Sequence, residues 1–184
     1  MLRSSGLLAI GLNFTLVTAC GGPAPRRDAP PVSPRPAPSI APQAPAPAMS
    51  DAAYVSTAAA IDLYEIRSSE LALQRSSNAA VREFAEMMIS AHKGTSSQLS
   101  LAGRRLNLLP SATLSPRYQA MLDSLQDGGK FDALYRQQQT AVHREAVALH
   151  SAYATRGTSP TLRPVAAAIL PVVERHQRLL GYLP

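Results

Sequence analysis

The chain has 184 residues, of which 46% are hydrophobic and 16% charged, with a formal net charge of +6, a single cysteine and no tryptophan. One cysteine excludes an internal disulfide framework and a thiolate metal cluster. The positive charge does not point to nucleic acid: residues 51–184 hold 14 Lys and Arg against 11 Asp and Glu, the basic residues are scattered, and a nucleic-acid surface needs a clustered stripe with stacking aromatics.

The N-terminus has the layout of a secretory signal, with Arg3 as the positive region and an apolar run from Gly6 to Ala19. That run is shorter than the ~20 residues a membrane span requires. Small residues before a lone cysteine, Leu16-Val17-Thr18-Ala19-Cys20-Gly21, resemble the bacterial lipoprotein processing site. The resemblance implies cleavage of residues 1–19, acylation of Cys20 and a membrane tether through lipid, with Gly21 in place of aspartate favouring the periplasmic face of the outer membrane. Ten of the 16 prolines fall between Pro23 and Pro47, so residues 20–50 read as an acylated cysteine followed by a Pro/Ala-rich disordered spacer. Extended at about 3.1 Å per residue, residues 21–50 reach roughly 90 Å.

Residues 51–184 carry the folded domain, and helical periodicity covers almost all of it. A first helix is predicted from Asp51 to Arg75, with Ser50 as its N-cap. Its inward stripe (Ala58, Ile61, Glu65, Ala72) lies roughly opposite the stripe that follows (Val81, Phe84, Ala85, Met88, Leu99, Ala102, Leu106), so a turn at 76–78 is needed for both to face one core. The second helix is expected to end near Leu106. A connection with a short helix from Pro116 to about Gln126 follows, stopped by Asp127-Gly128-Gly129. A third long helix runs from Lys130 to Arg156. Ser159-Pro160 opens a fourth, which reaches about Gly181 along a stripe of Val165, Ile169, Val172 and Leu179, with Pro171 in its interior. No strand alternation is evident. The predicted fold is all-α, an antiparallel four-helix bundle with a short extra helix in the connection between the second and third long helices.

The runs Glu65-Ile66 with Leu71-Ala72-Leu73, Val81-Arg82-Glu83-Phe84-Ala85, His92, Phe131-Asp132 with Tyr135 and His143, and Leu170-Pro171 with His176 resemble the bacterial domain-of-unknown-function family 4142. The resemblance implies an exported or lipid-anchored protein with a ferritin-like helical bundle. Ala91 departs from it, standing where an aspartate is expected before His92.

Polar residues interrupt the apolar stripes. His92 sits mid-stripe on the second helix, His176 mid-stripe on the fourth, and Glu65 points inward on the first. His143 lies at the edge of the third helix's face, beside a flank of Asp132, Gln139 and His150 read as solvated or partner-facing, and Asp132 and Tyr135 are candidates to support or flank the site. One inward Glu or His per long helix, all near mid-height, forms a candidate metal set of Glu65, His92, His143 and His176, suited to zinc, copper or iron. The Glu-x-x-His pair of di-iron bundles is absent, as are phosphate-binding loops and nucleophile elbows. On sequence alone the favoured reading is a non-enzymatic, lipid-anchored envelope protein, a binding or structural module with a possible envelope partner and a polar core network. The alternative is a metal-binding bundle for redox or metal handling.

Overall fold

A computed structural model of the protein describes residue 22, residues 49–127 and residues 129–184. Cys20 and most of the proline-rich segment lie outside the described residues. Five helices appear in the order α1 (Asp51–Arg75), α2 (Ala79–Arg104), α3 (Pro116–Asp127), α4 (Phe131–Arg156) and α5 (Leu162–Leu180). The fold is all-α, with four main helices and the short α3 between them.

Local chemistry sets the helix ends. Ser50 Oγ accepts from the amide of Ala53 at the start of α1. Asn78 Oδ1 accepts from the amides of Ala80 and Val81 at the start of α2, so the turn at 76–78 is held by the residue that opens the next helix. Ser159 Oγ accepts from the amides of Thr161 and Leu162, the capping role expected of it. The α2 exit depends on Gly103: a Cβ there would stand 2.4 Å from the carbonyl oxygen of Leu108, whose amide donates to Gly103 O. Asn107 takes the left-handed conformation, with φ 56°, to complete that turn.

Side chains on α1 and α4 meet in reversed order. Asp51 meets Tyr153, Tyr54 meets His150, Glu65 meets His143, Ser68 meets Gln139 and Ser69 meets Tyr135, so the two helices are antiparallel. The packed neighbours are α1–α2, α4–α5, α1–α4 and α2–α5. With α1 up and α2 down, α4 must also run down and α5 up. The chain therefore returns along the bundle between α2 and α4. Residues 105–127 make that crossing, with α3 lying against α1 and α4: Tyr118 near its start stacks on Tyr64, and Arg75 at the top of α1 donates to the carbonyls of Leu125 and Gln126 at its end.

Two apolar clusters fill the bundle. One, towards the start of α1, contains Tyr54, Val55, Ile61, Leu99, Tyr118, Tyr153, Leu162 and Ile169. The other, towards its end, contains Ala72, Phe84, Met88, Leu125, Phe131, Tyr135 and Leu180. Between them lies a polar layer. No helix among the described residues is long and apolar enough to cross a membrane.

Candidate metal centre

Each long helix delivers a side chain to that layer. On α1, Asp62 and Glu65 are one turn apart on the inward face. Asp62 turns towards α2 and Glu65 towards α4. His92 follows Met88 by four residues on α2, His143 projects from the middle of α4, and His176 projects from α5 one turn before Leu180. All five side chains are buried.

The three imidazoles face one another. Ring centroids are 5.8 Å apart for His92 and His143, 5.3 Å for His92 and His176, and 5.5 Å for His143 and His176. One ring nitrogen from each lies within 4.8 Å of the other two. Two nitrogens bound to one ion at about 2.1 Å lie at most about 4.2 Å apart, so ring movements of under about 1 Å would close the set on a common centre. Glu65 adjoins the triad, its Oε1 3.3 Å from His143 Nδ1.

Hydrogen bonds orient two of the rings. His92 Nδ1 is 2.8 Å from Asp62 Oδ1, while Thr95 Oγ1 and Ser96 Oγ each donate to Asp62 Oδ2 at 3.0 Å. A carboxylate that accepts from Nδ1–H and from two hydroxyls holds the His92 ring in place and turns Nε2 away from Asp62. His143 Nδ1 donates to the carbonyl of Gln139 at 2.9 Å, which leaves its lone pair on Nε2. His92 Nε2, His143 Nε2 and His176 Nδ1 are all buried with no hydrogen-bond partner, as are both carboxyl oxygens of Glu65. Buried polar atoms are rarely left so, because each costs about 1–3 kcal/mol. The satisfied core network expected from the sequence is thus not what these atoms form. The site is a buried histidine triad capable of coordinating a metal, with its second nitrogens tied down in the way that orients metal-binding imidazoles.

Burial sets the charge states. It pushes His143 down to about 3, helped by the neighbouring His92 and His176 and opposed by the Gln139 carbonyl. It pushes His176 down to about 4, helped by His92 and Arg175. Both rings are neutral at neutral pH, the form that ligates metal. Burial also raises the Glu65 carboxyl well above the usual carboxylate range; Gln139 opposes the rise and the charge on Asp62 adds to it. Burial thus favours the protonated form of Glu65, the form a nearby cation would disfavour.

Glu65, His92, His143 and His176 therefore meet as the sequence suggested, with His143 fully interior rather than at an edge. The flank reading needs correction. Gln139 and His150 are buried, not solvated: Gln139 Nε2 donates to Ser68 Oγ at 2.9 Å, and His150 Nδ1 lies 3.0 Å from Tyr54 Oη. They sit four residues before and seven after His143, on the same face, and α1 supplies polar partners to match. Tyr135 is buried in the second apolar cluster with its hydroxyl 2.8 Å from Ser69 Oγ, and Asp132 is half-buried at the top of α4. Neither joins the triad. Asp62, Thr95 and Ser96 were missed from sequence, although the i, i+3 spacing of Asp62 and Glu65 was a usable signal. Asp62 supplies from α1 an acidic partner for His92 where Ala91 does not.

Among solved structures, the fold is similar to that of CopM in the Cu(II)-bound form, with a TM-score of 0.63 and 16% sequence identity over 73% of this chain and 95% of that one. No curated protein matches the sequence. Residues 36–182 match the family described as Domain of unknown function (DUF4142), and the chain belongs to that family.

Proposed function

We propose that the protein is an exported metal-handling bundle that holds one transition-metal ion through His92, His143 and His176, with Glu65 as the adjoining carboxylate. The observation that carries this reading is the convergence of three buried, unpartnered ring nitrogens within 4.8 Å of one another. Imidazole and carboxylate donors suit copper, zinc and iron, and the copper form of the structurally similar CopM makes copper the first ion to test. When bound, such an ion supplies positive charge and Lewis acidity at the bundle centre. The chain's own residues would set the donor geometry and exclude bulk water: Asp62 and the Gln139 carbonyl orient His92 and His143, and Glu65 would stand beside the ion as a carboxylate.

The signal layout and Cys20 support export and a lipid tether at the periplasmic face of the outer membrane, with residues 20–50 as the spacer and residues 51–184 as the bundle domain. The favourable ordering of His92 and His143 before any ion binds supports sequestration or transfer of metal in that compartment, with an envelope protein as the exchanging partner. The test is thermal unfolding with and without saturating copper or zinc. A ligand at 100 times its Kd stabilises by about 2.7 kcal/mol, and His92→Ala and His176→Ala should each abolish the rise in Tm. A wild-type Tm that ignores both metals would refute the reading.

A further inference from the structure

His92 and His143 have no solvent exposure, yet an ion must reach them. His176 is the triad member that also lines the surface: a groove of about 400 Å³ between α2 and α5 is formed by Met87, Ser90, Ala91, Pro171, Val172 and Arg175 together with His176. The imidazole of His176 thus lines the groove and adjoins the triad, with its Nδ1 buried and unpartnered. Pro171 lies at the groove wall inside α5. It has no N–H, so the helix there lacks the bond that would otherwise tie it to the Ala167 carbonyl. One half-buried thioether, Met87, shares this wall with the imidazole. A thioether is a soft donor that binds monovalent copper and has little affinity for harder divalent ions.

We propose that this groove is the port through which the ion reaches the triad, with Met87 as the outer soft ligand that captures monovalent copper and His176 as the inner ligand that passes it to His92 and His143. The inference rests on the metal-binding reading above and specifies the ion and its route. Ligands are exchanged one for another along the path, thioether first and imidazole second, and the copper keeps its oxidation state throughout. Arg175, exposed at the groove, repels a free cation and attracts an anionic carrier. It therefore favours copper arriving on a carrier with carboxylate or thiolate groups over the bare aquo ion.

The experiment is stopped-flow loading and chelator-driven release of Cu(I), under anaerobic conditions, and of Zn(II), in the full-length protein. Ser90→Trp, at an exposed position on the groove, and Ala91→Leu, a smaller obstruction, should slow loading and release together while leaving the Kd of either ion unchanged. Met87→Leu, which keeps the bulk and removes the sulfur, should slow Cu(I) loading by about tenfold, the effect of about 1.4 kcal/mol in a barrier, and leave Zn(II) loading as in the wild type. Unchanged rates in both obstructed variants would overturn the port. Equal effects of Met87→Leu on Cu(I) and Zn(II), or no effect on either, would overturn the outer-ligand role of Met87. A wild-type protein that binds neither ion would instead refute the metal site itself, a result distinct from metal bound at unaltered rates.

Discussion

Asp62→Asn separates the metal-site account from a purely structural one. In the native site the Asp62 carboxylate accepts from His92 Nδ1 at 2.8 Å and from Thr95 and Ser96 at 3.0 Å. Asparagine keeps the shape and one acceptor oxygen, so His92 Nδ1–H remains bonded. The amide that replaces Oδ2 turns a donor towards two hydroxyls, and Thr95 Oγ1 retains the carbonyl of His92 at 3.1 Å as its alternative acceptor. The metal-free domain should therefore lose only the charge-assisted part of the interaction, about 1 kcal/mol. Metal affinity should suffer more: removing the carboxylate loosens the aim of His92 Nε2, and such outer partners are worth about 10–100-fold in affinity. At a metal concentration that gives the wild type about 4.1 kcal/mol of stabilisation, 1,000 times its Kd, the variant would retain about 1.4–2.7 kcal/mol. Competition titration against a chelator gives the affinity, and melting with and without metal gives the linkage. An affinity within about twofold of wild type, combined with a destabilised metal-free domain, would show that Asp62 braces the fold and does not tune a metal ligand.

Other consequences are open to direct measurement. The metal-free domain should be most stable near pH 6.5: the neutral forms of His143, His150 and His176, held down to about 3, 4 and 4, contribute stability present above their ordinary value of 6.5 and lost as pH falls towards those folded values, by up to about 1.4 kcal/mol per pH unit per group. Glu65 acts in the opposite sense. Its raised pKa means stability is complete below the usual carboxylate range and lost as pH rises towards its folded value, so denaturant melts should show an alkaline decline that Glu65→Gln removes, and a flat profile in the wild type would contradict the burial argument. At pH 8 Glu65→Gln should stabilise the metal-free domain, since it removes an ionisation that burial opposes, and weaken metal binding; a destabilised variant would show that the carboxyl is satisfied as it stands. Gly103→Ala should lower Tm, because the new Cβ would collide with the Leu108 carbonyl oxygen; an unchanged Tm would mean that the α2 exit relaxes freely. Mass spectrometry of the membrane-extracted protein should find an acylated N-terminal Cys20, and an unmodified Cys20 would remove the proposed tether.

Much of this fold was legible as sequence because punctuation and periodicity agreed. Ser50 and Ser159 mark helix starts by hydrogen-bonding chemistry that needs no tertiary context, and the opposed stripes on either side of 76–78 required a turn, although α5 begins at Leu162 and not at Pro160. The direction of α4 was not legible. Helix lengths alone allow either an up-down bundle or a crossover, and the choice depends on α3 lying lengthwise against α1 and α4. On α5 the stripe was read through Val172 and Leu179, but Val173 and Leu180 are buried while Val172 and Leu179 are half-buried. Both pairs flank Ile169 and His176, and a broad apolar face does not fix its own centre line.

The site was partly readable for the same reason. His92 and His176 interrupt apolar stripes, and an interior polar residue stands out against such a background. On α4 the background is itself polar: Gln139, His143 and His150 share a face, and without knowledge of Ser68 and Tyr54 opposite them this face resembles a solvated one. Asp62 escaped because its neighbours Ile61 and Glu65 already accounted for the inward stripe. Only the packing of α2 on α1 reveals that a second carboxylate is interior and pairs with His92.

The central claim is that three imidazoles share one ion, and metal K-edge absorption of the protein purified without chelator and loaded with one equivalent of copper or zinc tests it most directly. The account predicts a first shell dominated by nitrogen at about 2.0–2.1 Å with the outer-shell scattering of about three imidazole rings, reduced by one ring in His176→Ala. A loaded ion surrounded only by water or carboxylate oxygen, or a protein that retains no metal, would contradict it.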